Sequence, residues 1–370
     1  MGNYDSQAIG ANMSAHASPS ISILLPVYNG AEFVRSAIDS LLAQTFTDFE
    51  LIVLNDGSAD NSQEIIDSYS DSRIVRVCHD NMGLHRTLNK GIALAKGKYI
   101  CRMDQDDISA PDRLEIQKNF LDSNSDVGLV GSTSWLVIIG ETTKRVVGYA
   151  FDDYEIKWFL LFDNPMVHSS VMFKKDILEL SGGYAEDRKY NYAEDYDLWS
   201  RMAIHTKIYN IDSPLVTRIE MPDGMSYANL QKQRQQAFEI SARNWQLLLV
   251  DESNISDVDV AILRSIWLSM ALPEGVSAAH VFKRLPSLLR ASERVFESMY
   301  KNYSPKERLV AKKWIASKYQ EIRGGLLATI FRTIFAISFQ PGNLQRLKLT
   351  MIVGYKSVNK LLRNGLGFSR

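Results

Sequence analysis

The chain has 370 residues, 45% of them hydrophobic and 23% charged, an ordinary globular composition that is too long for one compact core, so two or three structural units are expected. Its formal charge of −1 excludes a global attraction for nucleic acid or anionic lipid. Cys78 and Cys101 are too few for a disulfide framework and suit a reducing cytosol. Both read as small buried residues in or near strands.

Residues 1–19 are small and polar, with neither a basic start nor an apolar stretch, and are expected to be a flexible N-terminus rather than a signal peptide. Ile21 to Val27 (ISILLPV) is then a short apolar, β-branched run ending at Pro26 and the turn pair Asn29-Gly30, which reads as a buried strand. Glu32 to Ala43 carries Phe33, Ala37, Ile38, Leu41 and Leu42 at helical spacing, and Phe49 to Leu54 is strand-like again before Asn55-Asp56-Gly57-Ser58. The pattern repeats with a helix at Asn61 to Tyr69, a strand at Ile74 to Cys78, a helix at Leu84 to Ala95 and a strand at Tyr99 to Met103. Such alternation predicts a parallel α/β sheet, with ligands outside the carboxyl ends of its strands. Pro26 to Asn29, Asn55 to Ser58 and Asp104 to Asp107 all lie at those ends.

After Asp107 the character changes. Pro111 opens a helix to about Leu121, and Val127 to Val130, Trp135 to Ile139 and Val146 to Tyr149 look like separate strands of a more irregular, mixed region. From about Ala228 onward the chain is helical by composition, with Trp245, Leu247 and Leu248, then Ile262, Ile266 and Leu268, in register.

Two carboxylates two apart, as in Met103-Asp104-Gln105-Asp106-Asp107, can point the same way from a loop. Hard oxygen ligands suit Mg²⁺ or Mn²⁺ that keeps waters and bridges substrate phosphates. The same residues equally suit an acidic helix start. Read alone, the spacing does not choose between them.

In order along the chain stand ISILLPVYNGAEFVRSAIDSLLAQTF, FELIVLNDGSAD, NMGLHRTLNKGIALAKGKYICRMDQDDISAPDRLEIQ and AEDYDLWSRM. This series, over roughly residues 20 to 220, resembles the family 2 glycosyltransferases, inverting nucleotide-sugar enzymes of GT-A fold. The resemblance implies an α/β, Rossmann-like nucleotide-binding sheet with a mixed acceptor half and a helical C-terminal region. The division expected is a nucleotide-sugar half at 20–107, an acceptor half at 108–227 and a helical region at 228–370 with a basic amphipathic tail from about 304.

Carried over position by position, Pro26, Tyr28 and Glu32 match the loop that frames the nucleotide base, where Tyr28 offers a face for stacking. Asp56 matches the carboxylate that accepts from the uracil imide N–H. Many members have a second acid before it, and here Asn55 replaces that acid. Asn81 and Gly83, with Asn89 and Gly91, match the loop and helix beside the diphosphate, which Arg86 can also reach. Asp104 matches a residue near the ribose or metal and Asp106 the principal metal ligand, while Asp107 is read as a helix-start residue. In Glu194-Asp195-Tyr196-Asp197-Leu198-Trp199, Asp195 matches the base that takes the acceptor's proton. Glu194, Trp199 and His168 are further candidates at the acceptor or diphosphate, and Ser181-Gly182-Gly183-Tyr184 matches an architectural glycine turn.

The function this implies is metal-dependent, inverting transfer of a sugar from a nucleotide diphosphate, UDP by preference, to a hydroxyl of a glycan or lipid-linked glycan in surface polysaccharide biosynthesis. The cofactor expected is Mn²⁺ or Mg²⁺, without a choice between them. A nucleotidyltransferase would carry a glycine-rich basic loop near the first strand, which PVYNGAEF lacks. A non-catalytic subunit of the same fold is the other alternative, and joint retention of Asp56, Asp104, Asp106 and Asp195 speaks against it.

From Lys306 to the end, 13 Lys and Arg face only Glu307 and Glu321, a net +11 that leaves −12 for the rest. Basic amphipathic helices of this kind can lie in an anionic membrane surface, or pack on the acidic body. The longest apolar stretch, Gly324 to Phe339, is interrupted by Arg332 and is too short to span a bilayer. A cytoplasmic protein, peripheral on the inner face of the membrane, is therefore expected, with no nucleic-acid partner.

Overall fold

The computed structural model describes residues 18–148, 150–186, 189–221, 229–249 and 255–318. Its first part is a run of alternating elements: β1 (Ile21–Val27), α1 (Val34–Leu42), β2 (Phe49–Asp56), α2 (Ser62–Asp67), β3 (Ile74–His79), α3 (Leu84–Leu94) and β4 (Tyr99–Arg102). β1 pairs in parallel with both β2 and β4, and β2 with β3. Every residue of β1 and β2 is buried, as expected of parallel strands covered on both faces.

The two faces have separate cores. Ile23, Leu25 and Val27 pack with Val34, Ala37, Ile38 and Leu41 of α1 on one side, while Leu24, Ile52 and Leu54 meet Leu88 of α3 on the other. Gly91 lets α3 sit close to the sheet, since a Cβ there would lie 3.0 Å from side-chain carbons of Leu24 and Leu54. β3 is an edge strand and its burial alternates. This overturns one expectation: Cys101 is buried, but Cys78, near the end of that edge strand, is exposed.

The second part contains β5 (Ile108–Ser109), α4 (Arg113–Ser123), β6 (Val127–Ile138), β7 (Arg145–Val147), α5 (Asp153–Phe159), a 3₁₀ turn (His168–Ser170), β8 (Met172–Lys174), α6 (Lys175–Leu180), α7 (Glu194–Met202) and β9 (Lys207–Glu220). Among the described residues one sheet runs β3-β2-β1-β4-β8-β6-β9-β5, with β7 paired to β6. β8 is antiparallel to β4 and β6, so the second part is mixed and continues the sheet of the first. β6 is one strand of 12 residues where two separate segments are read from the sequence. Its polar middle, Gly131 to Ser134, looks like a break but is buried, and the Ser132 N–H donates to Ser170 Oγ at 3.2 Å.

The helical region comprises α8 (Leu230–Leu248), α9 (Asp257–Trp267), α10 (Ala278–Met299) and helical turns over 305–318. Ser256 and Asp259 form a reciprocal capping box at the start of α9. The aromatic core of this region takes in residues that follow α5: Phe162 stacks on Trp267 with ring centroids 5.0 Å apart, and Trp245 Nε1 donates to Leu161 O at 3.0 Å. No helix of the described residues is long and apolar enough to cross a membrane. The tail from residue 319, including Gly324 to Phe339, lies outside the described residues.

Candidate active site

A cavity of about 800 Å³ opens beyond the carboxyl ends of β1, β2 and β4 and continues beneath the start of α7. Pro26, Tyr28, Asp56, Asn81, Gly83 and Arg86 line one part, Asp104 and Asp106 another, and His168, Glu194 and Asp195 a third. Glu32 does not join them: it is exposed and outside the lining.

At the end of the cavity beside β1, Tyr28 is 45% exposed, open enough for a planar ring to stack on it. Asp56 is buried, and its two oxygens accept the Met82 N–H at 2.7 Å and the Gly83 N–H at 3.0 Å. Oδ1 also faces the buried His79 Nδ1 at 3.4 Å, while Oδ2 keeps a second lone pair with which a further donor can be taken. Asn81 Nδ2 returns a bond to Asp56 O at 3.1 Å. The approach needs glycine at position 57, where φ is +72° and a Cβ would lie 2.6 Å from the Asn81 nitrogen. Arg86 faces Glu186 at 3.9 Å, with both side chains about half exposed.

The acidic loop is set against buried Arg102 and, across the cavity, Arg218. Arg102, the last residue of β4 and 2% exposed, pairs with Asp104. Asp106 has no ion-pair partner among the described residues, and burial followed by repulsion from Asp104 pushes its carboxyl up to about 6. Asp107 corrects a sequence reading. α4 begins only at Arg113, whereas Asp107 is buried in the cavity wall, accepts the Ile219 N–H at 3.2 Å, and is pushed up to about 7 by burial, then by Asp104 and Asp106.

No group of three or more His, Cys, Asp or Glu among the described residues is placed as a complete metal cage. What stands there is a pair of hard carboxylates beside a cavity, held together against their own repulsion. That donor set fits a divalent ion that completes its shell with water and phosphate oxygens.

α7 supplies the third group. Asp195 Oδ2 accepts from Asn164 Nδ2 at 2.7 Å and Oδ1 from the Tyr196 N–H at 2.7 Å. Burial nevertheless pushes Asp195 up to about 6 and, with repulsion from Asp195, Glu194 up to about 8. His168 Nε2 lies 2.8 Å from the Tyr184 hydroxyl and Nδ1 3.9 Å from Glu194, and burial, then Arg102, hold its imidazole well below the ordinary value. Trp199 is different: it is fully buried and absent from the cavity wall, packing against His168 at 5.9 Å and Phe173 at 6.0 Å. It supports the site without facing it. Asp197 is bound by Arg201 at 2.7 Å and by Arg243 of α8, and thus ties α7 to the helical region.

The description of the family model that matches residues 22–174 is glycosyl transferase family 2. An uncharacterized glycosyltransferase of Methanocaldococcus jannaschii is 30% identical over 237 residues, which cover 62% of this chain and 80% of that protein. The chain belongs to glycosyltransferase family 2. A second family relative, an uncharacterized glycosyltransferase of Rickettsia prowazekii, is 36% identical over 200 residues, 52% of this chain, and the match spans 61% of that relative's length. The chondroitin synthase of Pasteurella multocida is 28% identical over 247 residues, covering 66% of this chain and 25% of that protein. Among solved structures, S. aureus TarS 1–349 in complex with UDP-GlcNAc superposes with a TM-score of 0.52 at 14% identity, over 84% of this chain and 89% of that one. The likeness is one of fold, the GT-A arrangement.

Within this family 2 chain the structure also brings forward cavity residues without a sequence signal of their own. His85 reaches Asn191 Oδ1 at 2.6 Å, and Arg218 on β9 donates to Glu220 at 2.9 Å. A lone histidine in an amphipathic helix and an arginine in a strand carry no motif, so only the pairing of distant elements could reveal them.

Proposed function

We propose that the chain is an inverting, metal-dependent glycosyltransferase that moves a sugar from a nucleotide diphosphate, most readily UDP, to a hydroxyl of a glycan or lipid-linked glycan. The observation that carries this reading is that Asp56, the Asp104-Asp106 pair and Asp195 line one continuous cavity. A base reader, a diphosphate-end carboxylate pair and a proton acceptor are the three requirements of single-step displacement at an anomeric carbon.

Each residue has a physical task. Tyr28 stacks on the base and Asp56 accepts from its ring N–H. Asp104 and Asp106 would hold the divalent ion, which stabilises charge growing on the leaving diphosphate. Asp195, ionised above about pH 6, takes the proton of the attacking hydroxyl. Glu194, pushed up to about 8, stays protonated at pH 7 and spares the pocket a second buried charge.

The UDP preference draws support from the UDP-GlcNAc held in the TarS complex, and a polysaccharide role from the name of the Pasteurella relative. A position on the inner face of the membrane is supported by Leu309 and Val310, exposed on the helical turns that carry Lys306 and Lys313.

The test is nucleotide diphosphate release from a panel of nucleotide sugars with Mn²⁺ or Mg²⁺, beside Asp106→Ala and Asp195→Ala. Metal-dependent release from one donor, lost in both variants, is the expected result. No release together with no UDP binding by calorimetry would sink the reading.

A further inference from the structure

Asn164 lies in the loop between α5 and the 3₁₀ turn, 31 positions from Asp195 in the chain but in the same cavity wall. Its amide is used at both ends. Nδ2 donates to Asp195 Oδ2 at 2.7 Å, and Oδ1 accepts the Met166 N–H at 3.1 Å. The second bond determines the first: a flipped amide would set NH₂ against N–H and carbonyl against carboxylate. Met166 N–H therefore aims the donor at Asp195.

The other carboxylate oxygen is held by the Tyr196 N–H at 2.7 Å, so both ends of the group have a rigid donor and its plane is set. The loop has its own brace. The Asn164 N–H donates to Asp163 Oδ1 at 2.9 Å, and the Asp163 carboxylate stands 3.8 Å from Arg264 of α9.

We propose that Asn164 is a positioning residue for the Asp195 carboxylate, fixing its orientation toward the acceptor hydroxyl and favouring its ionised form. This rests on the reading of Asp195 as the base. A neutral amide donor on one oxygen favours the charged carboxylate against the cost of burial. Because the donor occupies one lone pair of Oδ2 from a fixed side, the remaining lone pairs face a fixed direction, and misaiming a proton acceptor by a fraction of an ångström costs rate rather than binding.

The test uses the full chain as Asn164→Asp and Asn164→Ala, with Asp195→Asn as control. Asn164→Asp keeps an oxygen for the Met166 N–H, so the loop retains its turn while the donor to Asp195 is lost. Two readouts are taken: the ¹³C-carboxyl titration of aspartate-labelled protein, with the Asp195 signal identified by its loss in Asp195→Asn, and kcat and KM for the donor that the nucleotide-sugar panel selects. UDP binding with Mn²⁺, followed by calorimetry, checks that each variant is folded. The expected result is an Asp195 midpoint raised by about one pH unit in Asn164→Ala and more in Asn164→Asp. A kcat at pH 7 lower by on the order of 10- to 100-fold, with donor KM and UDP affinity unchanged, should accompany it. A wild-type midpoint and wild-type kcat in both variants would overturn the proposal alone. Wild-type transfer by Asp195→Asn would overturn the base reading itself, and the proposal with it.

Discussion

Gln105 clamps the backbone of Tyr28 from both sides of its side-chain amide: Oε1 accepts the Tyr28 N–H at 2.9 Å and Nε2 donates to Tyr28 O at 3.2 Å. The residue between the two carboxylates of the acidic loop therefore holds the loop that carries Tyr28. Gly30 makes the approach possible, since a Cβ there would lie 2.3 Å from Gln105 Oε1.

It follows that Gln105→Ala should weaken donor binding more than chemistry. Two backbone bonds of about 1 kcal/mol each are lost, so KM for the nucleotide sugar should rise by up to about 30-fold while kcat changes less than threefold. Steady-state kinetics checks this. An equal fall in kcat with KM unchanged would contradict the clamp.

The pH dependence of activity has a defined sign. Asp195 is pushed up to about 6, so the ionised form of the proposed base is lost as pH falls through 6, and kcat/KM should drop tenfold per unit below that point. A pH–rate profile flat between 5 and 7 would contradict the assignment of Asp195.

Stability should run the other way. Asp106, Asp107, Glu194 and Asp195 are all raised above their ordinary values, so the folded protein holds protons that the unfolded chain releases. Their contribution is fully present below the unfolded carboxyl range and is lost as pH rises through 6 to 8. Glu194→Gln should therefore raise Tm relative to wild type at pH 8.5 and lose that advantage at pH 5.5, as measured by calorimetric scans at both values.

Divalent ion binding offers a check independent of turnover. Held as proposed between Asp104 and Asp106, Mn²⁺ would relieve their repulsion, so it should raise the wild-type Tm at pH 8, with the increment shrinking below pH 6 as Asp106 takes up its proton. Asp106→Asn should abolish the increment, and EDTA should reverse it in the wild type. A full increment in Asp106→Asn would remove that residue from the ligand set.

Asp197 belongs to architecture. It is 2% exposed and bound by Arg201 and Arg243, so Asp197→Ala leaves two guanidinium groups without their shared anion and should cost about 3–5 kcal/mol in denaturant unfolding. A loss under 1 kcal/mol would show that α8 does not hold α7 through this residue.

Much of this protein could be read from neighbours in the chain. Ile21 to Val27 and Phe49 to Leu54 are apolar runs too short for helices and bounded by turn residues, and they form central strands. Asp56 at the carboxyl end of β2, Asp104 and Asp106 just after β4, and the Glu194-Asp195 segment stand out because motif and element end coincide. Local patterning determined the alternating elements of residues 21–102 and the helices described between 230 and 318, while Asp56, Asp104, Asp106 and Asp195 became candidates through the resemblance their ordered motifs carry.

The tertiary structure decided what those acids do to one another. Asp107 looks like a helix start until β9 lays the Ile219 N–H against it, 112 positions away. Asn164 is an unremarked loop residue until α7 brings Asp195 to it, and Trp199, though part of the motif, turns into the core because α7 must bury that face. Periodicity and turn chemistry act over a few residues and are written in the sequence. Carboxyl ionisation and side-chain aim depend on burial and on partners tens of residues away, so they exist only once the sheet has set its register.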